Sequence, residues 1–259
     1  VELDVTEENV QDFYAAADRI SNLCETQGLK VANVTAYVPH LFSLEAASGK
    51  RSMKAFAKSV QLASRLSADL VMTDSFSPPL RIEDCQLMAD ELVSAETPRK
   101  VAMSESFSWP RFWKRFTQRM KKCNQVAEQA GHKFCVEPVP GQAVPNTDAM
   151  LRLIDAVDSE NFGAVFDIAS AHYQREMLSL SIRKLRKQLF MIHISDNDGT
   201  RNHHLVPGKG NIDWDSILAS LKTINFDDYA ALDVRAPRDR IDRDYEEARV
   251  FVENWIAKS

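Results

Sequence analysis

Gly163-Ala164-Val165-Phe166-Asp167-Ile168 and, one helix further along, Leu189-Phe190-Met191-Ile192-His193-Ile194-Ser195 are apolar runs that each deliver one ionisable side chain near their end. Runs this short and this rich in Val, Ile, Leu and Phe suit strands covered on both faces by helices. The segment 175–187 between them has a helical pattern, so the two strands are expected to lie parallel, joined by a right-handed crossover. Working outward, the same rhythm recurs. Strands are expected at 1–5, 30–38, 69–74, 133–139 and 229–234, and helices at 7–27, 52–67, 110–131, 147–157 and 214–224. Asp148 and either Asp213 or Asp215 suit helix starts, and Gly28 and Gly131 suit helix stops. Such alternation points to an α/β fold, a (β/α)8 TIM barrel. The 259 residues suit one such domain spanning 1–259.

Seven strands do not close an eight-stranded barrel. One expectation is that a first strand precedes Val1, since the chain opens directly in the strand-like Val1-Glu2-Leu3-Asp4-Val5. The stretch 77–108 then becomes an excursion over the barrel mouth, with a helical piece at 83–95. The alternative is that the eighth strand lies in that stretch, around Lys100-Val101-Ala102-Met103.

Bulk properties exclude some classes. Hydrophobic residues at 44% allow a large core, and charged residues at 27% with a net charge of -5 argue against a nucleic-acid partner, which favours a basic face. No apolar run approaches the ~18 residues of a membrane span, so no membrane partner is expected. The four cysteines, Cys24, Cys85, Cys123 and Cys135, form no CxxC pair, which speaks against a zinc cage or redox dithiol and suits a cytoplasmic protein.

Barrel enzymes carry their chemistry at the C-terminal ends of strands. Four late strands each place one ionisable group there: Glu137, Asp167, His193 and Asp233. Taken singly, each has an ordinary explanation. A strand-end carboxylate is often a cap or surface pair, and His193 between two isoleucines suits a satisfied core histidine. Taken together, three buried carboxylates repel one another unless a cation joins them. An oxygen-rich set with one imidazole suits one divalent metal ion, with Mn²⁺ placed ahead of Mg²⁺, Co²⁺ or Zn²⁺.

His193-Ile194-Ser195-Asp196-Asn197-Asp198-Gly199, followed by His204-Leu205-Val206-Pro207-Gly208-Lys209-Gly210-Asn211-Ile212-Asp213-Trp214, resembles the sugar phosphate isomerase/epimerase family of the xylose isomerase-like TIM barrel superfamily. Val136-Glu137-Pro138-Val139-Pro140-Gly141, Val165-Phe166-Asp167-Ile168 and the strand 229–234 match its other strand ends. The likeness is strong from about 110 to 240 and weak before that. It implies Glu137, Asp167 and His193 as metal ligands, with Asp233 where relatives carry glutamate. It also matches His204 to a histidine that lies near the substrate or, in the apurinic endonuclease branch, binds a further zinc. Three departures stand out. Ser170 replaces a histidine, with His172 two residues later. Asn202 replaces an aspartate of the apurinic endonuclease branch, and Tyr37 and Asp74 replace that branch's zinc-binding histidines. A three-zinc nuclease is therefore not expected.

The activity implied is isomerisation or epimerisation of a small sugar or keto-polyol by proton abstraction alpha to a carbonyl. Glu137 and Asp233 are the expected proton-transfer pair, with His204 donating a hydrogen bond to substrate. His204 beside His203 also reads as an idle exposed loop residue. Arg201, with Lys209, could attract an acidic substrate or simply be solvated. Trp109, with Phe107 and Trp113, could wall a sugar face or simply pack a helix. His172 is expected to start the helix after its strand. Arg183, Lys184, Arg186 and Lys187 are expected on a solvated face. Two alternatives stay open: a dehydratase of a keto-inositol or dehydroshikimate-like substrate, and a non-catalytic carbohydrate-binding subunit. No Gly-rich phosphate loop is readable. The expected partner is a small sugar or keto-acid, and a homo-oligomer is compatible with the sequence.

Overall fold

The computed structural model describes residues 1–43, 45–79, 81–83 and 100–257. The chain divides into two compact units. Among the described residues, the first contains 1–83, 100–137 and 152–163, and the second contains 138–151 and 164–257.

In the first unit, strands β1 (Glu2–Thr6), β2 (Asn33–Tyr37), β3 (Leu70–Asp74) and, further along the chain, β6 (Lys133–Glu137) pair in parallel in that order. Helices α1 (Val10–Ala15) and α2 (Ala17–Thr26) follow β1, where a single helix over 7–27 was expected. The chain breaks at Ala16. Helix α3 (Ala46–Arg65) begins several residues ahead of its expected start and buries Ser52, Ala55, Phe56, Ser59, Val60 and Ala63, a stripe of helical spacing. Helix α4 (Trp109–Gln129) follows, with Pro110 in its first turn, where a missing N–H costs nothing. Gly28 and Gly131 take φ of +65° and +83°, so each stops a helix in the left-handed region, as expected. Phe56, Phe116, Phe134 and Phe162 are fully buried.

Two short strands, β4 (Arg81–Glu83) and β5 (Lys100–Ala102), pair antiparallel and stay outside the parallel sheet. The apolar fragment near Val101 therefore does not supply a barrel strand. Most of the helical piece expected at 83–95 lies outside the described residues.

In the second unit, β7 (Phe162–Asp167, its first two residues belonging to the first unit), β8 (Leu189–Ile194) and β9 (Tyr229–Leu232) pair in parallel, in that order. The register sets Asp167 beside His193. Helix α5 (Thr147–Val157) begins in this unit and carries Asp148 in its first turn. A short helix, α6 (Ile168–Tyr173), starts directly from Asp167, so His172 lies in its last turn and does not start it. Helices α7 (Leu178–Leu185) and α8 (Trp214–Thr223) follow. Asp213 caps α8, accepting the Ser216 N–H at 3.1 Å. Lys184 pairs with Asp148 at 2.6 Å. The final helix, α9 (Ile241–Ile256), was not anticipated. It buries Ala248 against Val206 and Val234, and Trp255 meets Trp214 edge-on, ring centres 5.5 Å apart.

Candidate metal centre

Each expected strand-end residue has a definite place. Glu137 ends β6 in the first unit, buried, in register with Asp74. Asp167 ends β7, His193 is the penultimate residue of β8, and Asp233 follows β9 directly, its N–H donating to the Ile194 carbonyl at 3.1 Å. The last three belong to the second unit, together with His204.

Asp167 divides its carboxylate between two tasks. Oδ1 accepts the Ser170 N–H at 2.7 Å and caps α6. Oδ2 is buried and makes no hydrogen bond among the described residues. It faces His204 Nδ1 at 3.6 Å. That nitrogen also lies 2.9 Å from Asp233 Oδ2, 3.3 Å from the Asp233 carbonyl and 3.2 Å from Ser195 Oγ. Carboxylate and carbonyl only accept, so Nδ1 carries a proton. His204 Nε2 is buried with no hydrogen-bond partner among the described residues. Ligand atoms of Asp167, His204 and Asp233 all lie within 4.8 Å of one another, and Asp167 and His193 approach equally closely.

Electrostatics follow from this crowding. Burial pushes Asp167 up, Asp233 adds to the push, and His204, His193 and the Ser170 N–H oppose it without cancelling it. Burial alone would lower His204, but Asp167 and Asp233 outweigh it, and the imidazole is pushed up to about 9. Burial likewise opposes ionisation of Asp233, yet the hydrogen bond and charge of His204, with His193 and Arg235, hold it well below the usual carboxylate range. Its side chain is 37% exposed, so water reaches that end of the pair. Two carboxylates and two imidazoles thus share too little solvent and too few protons. A buried acceptor without a donor, Asp167 Oδ2, beside further oxygen and nitrogen donors fits a divalent cation.

The remaining residues fall elsewhere. His204 is 2% exposed, which removes the idle-loop reading. Arg201 is exposed. Trp109 lies in the first unit, 39% exposed and stacked on Trp113 with ring centres 5.8 Å apart. Trp113 stacks in turn on Phe116, so the helix-packing role holds for that ring. Asn202 donates to Ser170 Oγ at 3.1 Å, and His172 Nε2 meets Asn211 Oδ1 at 2.6 Å. The pairing of His204 with Asp233 was not readable from sequence, because it depends on how the loop after β8 folds.

A family profile, the xylose isomerase-like TIM barrel, matches residues 1–255. Fructoselysine 3-epimerase of Shigella flexneri is 23% identical over 125 residues, covering 47% of this chain and 45% of that protein. Inosose isomerase of Bacillus velezensis is 26% identical over 167 residues, covering 60% of this chain and 58% of that protein. The chain thus spans about half the length of these relatives. Among solved structures, the IOLI protein with a bound zinc atom superposes with a TM-score of 0.74 at 16% identity, over 99% of this chain and 88% of that one.

Proposed function

The chain belongs to the xylose isomerase-like TIM barrel family, and on that premise we propose that it is a divalent-metal-dependent isomerase or epimerase of a small sugar or keto-polyol. The observation that carries the reading is the crowding of Asp167, His193, His204 and Asp233, with Asp167 Oδ2 buried and bonded to no donor among the described residues. The curated relatives include an epimerase and an isomerase, and a fold relative holds zinc.

Asp167, His193 and Asp233 would hold the cation. Glu137 is assigned to the same task from the sequence resemblance alone. A divalent cation, when bound, polarises a carbonyl and its adjacent hydroxyl and so acidifies the neighbouring C–H. Glu137 takes that proton as the electron pair of the broken C–H bond moves toward the carbonyl oxygen, and its carboxylic acid then returns the proton to the neighbouring carbon as the electron pair moves back to form the new C–H bond. Asp233, one methylene shorter than the glutamate of relatives, stays a ligand and acceptor for His204. His204 Nδ1 holds its proton against Asp233, so the imidazole can steady or return a proton on a substrate oxygen. Burial of Asp167, His193 and His204 limits competing water.

The test uses the full chain with Mn²⁺ and a panel of ketoses and keto-inositols in deuterated water. Metal-dependent deuterium incorporation alpha to the carbonyl, lost in Asp167→Asn, is the expected result. Loss of water from the substrate would replace the proposal with a dehydratase. Metal binding with no exchange on any panel member would favour the non-catalytic sugar-binding role.

A further inference from the structure

We infer that Asp196 is a positioning residue, whose buried side chain folds the loop 197–213 into the shape that delivers His204 to Asp233 and Asp167. Asp196 follows β8 by two residues and is 1% exposed. Its oxygens accept four N–H groups. Oδ1 takes those of Asn197 at 2.8 Å and Ile212 at 3.3 Å. Oδ2 takes those of Gly208 at 2.7 Å and the Trp214 indole at 3.1 Å. The donors come from both ends of the loop, so one side chain ties its exit, its return and the first residue of α8. Gly210 passes so close that a Cβ there would sit 2.3 Å from Oδ1, so the node leaves no room for a side chain.

The node reaches His204 through the backbone. Asp196 and Leu205 exchange N–H···O bonds of 2.7 and 2.8 Å, which fixes the residue after His204. Just before it, the His204 carbonyl accepts the Arg235 N–H at 2.9 Å. Next to these ties His204 sits at φ +49°, in the left-handed region that residues other than glycine adopt uncommonly. Its imidazole direction is therefore set by the loop, and the loop by Asp196. Asp198, in the same loop, accepts the N–H and hydroxyl of exposed Thr200 at 2.8 and 2.7 Å, lies 3.8 Å from His203 Nε2, and does not enter the node.

The significance for catalysis rests on the proposed function, but the inference itself is tested without metal or substrate. The measurement is the ¹⁵N-labelled, metal-free full chain by NMR, following the His204 Nδ1–H resonance, identified by its absence in His204→Gln. Asp196→Asn replaces one acceptor oxygen with a donor that faces N–H groups, and should abolish the protected resonance. Trp214→Phe removes one donor and Gly210→Ala crowds the node. Both should shift the resonance and speed its exchange with solvent, while Asp198→Asn leaves it in place. The backbone amides of buried β7 from Ala164 to Asp167, in the same unit, serve as the reference for that unit's fold. A general loss of stability in the unit would disturb them as well, whereas positioning predicts an effect confined to His204. An unchanged His204 resonance in folded Asp196→Asn overturns the inference. Should that variant not fold, an unchanged resonance in Trp214→Phe does the same.

Discussion

Asp233 meets His204 through a 2.9 Å contact between carboxylate Oδ2 and imidazole Nδ1. The pair joins a residue just past β9 to one inside the loop after β8. Its first consequence is a pH dependence. His204 is raised from 6.5 to about 9 in the fold. The folded state therefore binds this proton more tightly than the unfolded chain, and the stabilisation is fully present below about pH 6.5 and lost as pH rises through about 9. In metal-free protein, denaturant midpoints measured from pH 6 to 10 should fall across that window. His204→Gln should lack this part of the fall. Equal slopes for both proteins would show that the pair contributes nothing.

Metal should stabilise the fold through Asp167. A ligand that binds only the native state at 100 times its Kd adds about 2.7 kcal/mol. Adding Mn²⁺, Co²⁺ or Zn²⁺ to the metal-free chain should raise the unfolding free energy by that order, read by chemical denaturation. Asp167→Asn and His193→Ala should remove the gain. A weaker loss, on the order of 10–100-fold in affinity, is expected for His204→Gln if it acts beside the ligands rather than as one.

Cys123 is fully buried, and burial pushes its thiol far above the ordinary range. Native alkylation followed by mass spectrometry should label Cys24, which is partly exposed, well before Cys123 or Cys135. Rapid native labelling of Cys123 would contradict the packing of α4.

Gly131 stops α4 at φ +83° with nothing within 4 Å of where a Cβ would stand. Gly131→Ala should therefore cost backbone strain alone, ~1–2 kcal/mol. Asn, which tolerates the left-handed region, should recover part of it. A cost near zero for Ala would mean that the turn relaxes.

All seven expected strands are present among the described residues, because their apolar runs are dense and bounded by helical patterns. Helix edges were harder. Nothing in the pattern over 7–27 marks the break at Ala16, and the early start of α3 rests on Ser48, a small polar residue that a hydrophobic pattern passes over although it is buried. Helix α9 carries Tyr245, Ala248 and Trp255 toward Val206, Val234 and Trp214, a legible stripe obscured by its many charges. Strand-end position singled out Glu137, Asp167, His193 and Asp233, and within the second unit ligand atoms of Asp167 lie within 4.8 Å of those of His193 and of Asp233. The sequence could not show that Asp167 is also a helix cap, or that His204 turns through a left-handed residue to reach Asp233. Both depend on backbone angles at single positions, which residue type does not encode.

The antiparallel pair β4–β5 sits between β3 and α4, with Glu83 opposite Lys100 and Arg81 opposite Ala102. The chain leaves and returns at one point, and the β3–β6 register from Leu70 with Lys133 to Asp74 with Glu137 is set without it. In evolutionary terms the two short strands are open to tinkering. Substitutions confined to β4 and β5 can diversify a lineage, or serve an engineer, while the strand that carries Glu137 keeps its register on β3.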